Sequence, residues 1–113
     1  MVEETRIVLS QDMQMVASAM LKEHNGAGNR LVGISVGKKE GEYYEIRMIF
    51  DSTRTKVVNQ KIVIELVAKG KSLIYADSRK DAYAEEGYVL TIMEISSSKV
   101  DFFRDFVLMV FEK

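Results

Sequence analysis

The chain has 113 residues and a formal net charge of −1, with 47% apolar and 29% charged side chains. Its length suits one domain, residues 1–113, and its composition excludes a weakly hydrophobic disordered chain. Cysteine is absent, which excludes disulfides, a thiol nucleophile and a thiolate metal site.

No apolar run reaches the roughly 18 residues of a membrane-spanning helix. The start, MVEETRIVLS, lacks the basic and apolar regions of a secretory signal, so the expectation is a cytoplasmic protein with no membrane partner.

Thr5–Leu9 alternates weakly and reads as a short first strand. Ser10 is placed to cap a helix over Gln11–His24. Its stripe of Met13, Val16, Ala17, Met20 and Leu21 is the clearest helical period in the chain. The run Asn25-Gly26-Ala27-Gly28-Asn29 ends it. Leu31–Gly37 and Tyr43–Asp51 then read as a hairpin. Val32, Ile34 and Val36 share one face of its first strand, and Tyr44, Ile46, Met48 and Phe50 one face of its second.

Val57–Ala68 is ambiguous. As a strand it puts Val58, Ile62, Ile64, Leu66 and Ala68 on one face, and its β-branched content favours that reading over a helix. Lys69-Gly70-Lys71 turns into a short strand, Ser72–Asp77. The polar run 78–87 is a loop, a helical turn or a hairpin end. Tyr88–Ile95, apolar on both faces, reads as a central strand. Ser98 and Asp101 form a capping box for a last helix reaching about Glu112, with Phe106–Phe111 as a closing buried strand the alternative. No internal repeat is visible.

The expected fold is therefore α+β. One two-layer domain holds an antiparallel meander of four to five strands, with an N-terminal and a C-terminal helix on one face. This helix-then-meander order resembles cystatin-like folds. Their inhibitory Q-x-V-x-G is not supplied by Val57-Val58-Asn59-Gln60, so no function follows from the resemblance.

Motifs for chemistry are missing. Gly26-Ala27-Gly28-Asn29-Arg30-Leu31 follows a helix and has Leu31 where a dinucleotide loop needs its third glycine. Gly70-Lys71-Ser72 lacks the earlier glycine of a phosphate loop, since Glu65 stands there. His24, the single histidine, has no nucleophile or carboxylate paired with it by spacing and reads as a helix-end residue. Asp77, Asp81 and Glu85 lack the turn and donor pattern of a calcium loop. No cofactor, metal or catalytic residue is expected, and the chain reads as a non-enzyme.

Two surfaces remain. Residues 30–80 carry eleven Lys or Arg against six Asp or Glu, a balance of +5, between acidic ends of −2 and −4. Tyr43, Arg47, Arg54, Lys56, Lys61, Lys69 and Lys71 are the candidates for a sheet face that binds single-stranded nucleic acid. The last segment has an apolar arc wider than one sheet covers, and Phe102, Phe106 and Met109 on it are candidate protein-interface anchors. The favoured expectation is a non-catalytic interaction protein, either a homodimer or a small subunit or regulator of a larger assembly. The nucleic-acid module is the alternative.

Overall fold

The computed structural model describes residues 1–52, 59–97 and 103–113. Its elements are β1 (Val2–Leu9), a 3-10 turn (Ser10–Asp12), α1 (Met13–Gly26), β2 (Arg30–Lys38), β3 (Tyr43–Asp51), β4 (Gln60–Ala68), α2 (Ser72–Glu85), β5 (Val89–Ser97) and β6 (Arg104–Glu112). The strands form two antiparallel sheets of three, β1-β3-β2 (sheet A) and β4-β6-β5 (sheet B).

Each sheet with its helix is a βαββ unit whose third strand lies between the first two, a split βαβ arrangement. The two units repeat element by element. Both helices are 14 residues long. In the first unit the His24 carbonyl accepts from the Asn29 amide, and in the second the Tyr83 carbonyl accepts from Tyr88. Both bonds close over a glycine in the left-handed region, Gly28 and Gly87, where a side chain would be strained. Leu31 pairs Phe50 just before a bulge, and Leu90 pairs Phe111 just before another. His24 stacks on Phe50 at 3.8 Å, and Tyr83 packs on Phe111 at 4.5 Å.

Alternating strand residues and the α1 stripe build the main core. Sheet A supplies Val8, Leu31, Ile34, Tyr44, Ile46, Met48 and Phe50, while α1 supplies Met13, Ala17, Met20 and Leu21. Sheet B closes this core with Ile62, Ile64, Phe106, Leu108 and Val110, and the Tyr44 and Phe106 rings meet edge to face at 5.0 Å. The other face of sheet B buries Val63, Val107, Met109 and Phe111 under α2 with Ala76 and Tyr88. β6 is thus covered on both faces, and residues 106–111 are all buried.

Several expectations are corrected. The class is α+β, but there is no single meander with two helices on one face, so the cystatin-like order does not hold. The last helix is a strand, because six successive apolar residues fill the central position of a sheet buried on both sides. The second helix is instead Ser72–Glu85, in place of the expected strand and polar run. Only Ser72 and Ala76 of it are buried, too narrow a stripe to read as a period. Tyr88–Ile95 corresponds to β5, an edge strand rather than a central one. Ser10 caps nothing with its side chain; its amide donates to the Glu42 carbonyl and α1 begins three residues later. The repeat is real although none is visible in the sequence. The capping box at Ser98 and Asp101, and Val57 and Val58, lie outside the described residues.

Candidate interaction surface

Four strands lie at sheet edges: β1, β2, β4 and β5. An edge presents a row of unpaired amides and carbonyls, which invites another strand unless something occupies or repels it. The chain itself closes one of these edges, ties a second at one end and charges a third.

β4 is closed by α1. The Gln14 amide nitrogen donates to the Ile62 carbonyl at 2.8 Å, and its oxygen accepts from the Ile64 amide at 2.6 Å. Three turns later on the same helix face, the Asn25 oxygen accepts from the Gln60 amide at 3.2 Å. β2 lies against sheet B. Both backbone groups of Leu31 bond to the Gln60 side chain, at 2.8 and 3.0 Å. Arg30 forks onto Glu112 at 2.5 and 2.8 Å, a bond that raises the arginine pKa further. β1 is charged: Glu3 pairs with Arg47, and Glu4 with Arg6 and His24.

β5 differs. Its sequence, VLTIMEISS, carries one charge, Glu94. Val89, Met93 and Ile95 are 67, 41 and 42% exposed. Among the described residues no side chain bonds to its outer backbone edge. Thr91, the extra residue of the bulge, turns its hydroxyl inward to donate to the Val110 carbonyl at 3.2 Å.

α2 sets the neighbourhood of this edge. Ser72 and Ala76 face sheet B. The Tyr75 hydroxyl donates to the Glu65 carboxylate on β4, and Arg79 donates to Tyr75 at 3.1 Å. Burial first, then the bond to Glu65, pushes the Tyr75 pKa up. One flank of α2 is therefore tied towards β4. At about 100° per residue the opposite flank, with Leu73, Asp77, Lys80 and Ala84, points towards β5. All four are exposed, Leu73 by 64%.

His24 is not poised as a base. Its Nε2 faces Glu4 at 2.8 Å and its Nδ1 faces the Asn29 amide nitrogen at 3.2 Å. Asn29 donates, so in the neutral ring the proton sits on Nε2 and points at Glu4. That bond, the largest influence on Glu4, holds its carboxyl below the ordinary 4.5. Both nitrogens are engaged in holding β1, α1 and the following turn together. Among the described residues no three His, Asp or Glu side chains gather to hold a metal ion, and no helix is long and apolar enough to cross a membrane.

The residues singled out in the sequence scatter. Tyr43 and Arg47 lie on the outer face of sheet A, with Arg47 bound to Glu3. Lys61 is near the start of β4, its ammonium over the Tyr88 and Tyr83 rings at 4.9 and 5.5 Å. Lys69 and Lys71 follow the far end of that strand, Lys69 at 3.8 Å from Asp105 and about 26 Å along from Lys61 at ~3.3 Å per residue. These do not converge on one patch, and Arg54 and Lys56 lie outside the described residues. Phe106 and Met109 are buried, at 3 and 0% exposure, because they are core residues of β6. They cannot anchor a partner; Phe102 lies outside the described residues. The residues that sequence reasoning missed are Val89, Met93, Ile95 and Leu73. Their signal was Glu94, a charge that a strand covered on both faces does not carry.

An open cleft of about 400 Å³ lies between α1 and β4, lined in part by Lys22, Asn25, Gln60, Lys61 and Tyr83. The amides of Asn25 and Gln60 are committed to the β4 and β2 edges rather than to this cleft. No family model matches the chain, and no curated protein or solved structure matches it.

Proposed function

We propose that this chain is a non-catalytic protein-interaction domain, working as a homodimer or as a small subunit of a larger assembly, with β5 as its contact strand. The observation that supports the reading is the contrast among edges: β4 is closed by glutamine and asparagine amides, β2 is tied to sheet B at Arg30 and Leu31, β1 is charged, and β5 is apolar and open. An extended partner strand on such an edge gains backbone hydrogen bonds, and Met93 and Ile95 offer apolar contact on alternate positions.

Light scattering on a sizing column tests this, combined with capture of proteins from cell extract. The expected result is a species heavier than the 12.9 kDa monomer or a captured protein, either one lost in Met93→Lys/Ile95→Lys. A 12.9 kDa species that captures nothing overturns the reading. A shift onto short random single-stranded DNA at low salt, abolished at high salt, replaces it with the nucleic-acid module.

A further inference from the structure

We infer that the strand β5 receives is β5 of a second copy, running antiparallel about a two-fold axis at Met93, so that two sheets B join into one of six strands. This partner rests on the interaction-domain reading and deepens it.

Two separate features carry the same centre of symmetry. The first is the flank of α2 turned towards β5. Leu73, Asp77, Lys80 and Ala84 run apolar, acidic, basic, apolar. Laid antiparallel beside its own copy, this flank sets Leu73 on Ala84 and Asp77 on Lys80, twice over, about a midpoint between Ser78 and Arg79. Neither Asp77 nor Lys80 has an ion-pair partner within the described residues, so both are available to the seam. A flank that pairs with itself in both charge and size fits a second copy, since a two-fold interface sets one patch against itself.

The second feature is the strand. Tyr83 packs on Phe111, which pairs with Leu90. Tyr75 reaches Glu65, which pairs with Val107 and through it lies level with Ile95. Eight helical residues span about 12 Å and the four steps from Val107 to Phe111 about 13 Å, so helix and strand keep pace. The middle of that helical span, Arg79, therefore lies level with Met109 and its partner Met93. The midpoint of the self-complementary flank and the midpoint of the exposed strand fall on one line. An axis there sets Met93 against Met93 and puts Glu94 opposite Ile92, which keeps the one charge of the strand away from its copy.

The test uses the whole chain and its lack of cysteine. Met93→Cys is oxidised mildly, with Ile7→Cys on the charged edge β1 as the control. In parallel, sedimentation measures dimer affinity in Asp77→Lys, Lys80→Asp and the combined swap, with circular dichroism verifying that each is folded. The expected result is a covalent dimer from the Met93→Cys variant and none from the control. Each single swap should weaken association at least about tenfold, and the double swap should return to within about threefold of the parent. A dimer that neither cross-links at position 93 nor responds to the swaps overturns this seam while leaving the interaction reading intact. A monomer at every concentration overturns the second copy, and capture of a different protein then decides the broader reading.

Discussion

Gln60 and Leu31 pair with each other as two strand residues would, although one partner is a side chain. The Gln60 amide oxygen accepts from the Leu31 N–H at 2.8 Å, and its nitrogen donates to the Leu31 carbonyl at 3.0 Å. Leu31 opens the β2 bulge and is buried, as is Gln60. Replacing Gln60 by Leu keeps the approximate volume and strands both backbone groups. The expected loss is about 2–4 kcal/mol, since each orphaned buried group costs roughly 1–3 kcal/mol. Urea unfolding measures it; a change below about 0.5 kcal/mol would show that the pairing contributes nothing net.

Gln14 does the same for β4, but on a part-buried edge. Gln14→Ala should lower stability by only about 1 kcal/mol, because water reaches the freed groups. The larger effect is on association. An edge carrying Ile62 and Ile64 becomes open, so aggregation on warming should start well before unfolding, whereas the parent stays clear. Turbidity followed beside circular dichroism separates the two events.

Glu4 links folding to pH through His24. Its pKa is depressed in the folded chain by the bond to that ring. A depressed carboxylate contributes stability above its unfolded value and loses it as pH falls through the folded value. The parent should therefore lose stability below about pH 4.5. Glu4→Gln should be less stable by on the order of 1 kcal/mol at neutral pH and flatter across the acid range. Chemical unfolding at a series of pH values reads this directly. Parallel curves for the two proteins would remove Glu4 from the acid response.

How legible all this was depended on how many faces an element buries. α1 and β3 each show one buried face against one wet face, and their periods stand out in the sequence; in β2 the bulge puts Leu31, not the expected Val32, on the buried face with Ile34 and Val36. β6 does not alternate, since Phe106, Val107, Leu108, Met109, Val110 and Phe111 are all buried; a run without a period reads equally well as helix. α2 fails for the opposite reason. It buries Ser72 and Ala76 and leaves Leu73 and Ile74 exposed, so its apolar residues suggest a strand. The repeat was hidden because few identities mark it: Val8 and Val67, Ala17 and Ala76, Gly28 and Gly87, Leu31 and Leu90 each lie 59 residues apart. The step then lengthens to 61, as from Phe50 to Phe111. The candidate surface was legible only as a lone Glu94, since edge or centre is a matter of strand order rather than of local pattern.

The repeat itself gives a test that separates the two halves. Ala17 and Ala76 occupy equivalent places in the two helices, 59 residues apart, and both are buried. α1, however, has sheet A on one side and β4 on the other, whereas α2 has sheet B alone among the described elements. Leucine at position 17 has nowhere to expand and must shift helix or sheet, at about 1–3 kcal/mol or more. Leucine at position 76 can be relieved by lifting α2 slightly into solvent, so its cost should fall at or below about 1 kcal/mol. Thermal and urea unfolding of Ala17→Leu and Ala76→Leu should show this order. Equal losses would mean that α2 is held as tightly as α1, as it would be with a second α2 seated against its β5-facing flank in the seam. Repeating the comparison in the Asp77→Lys background, where that seam is weakened, then isolates the contribution of the second copy.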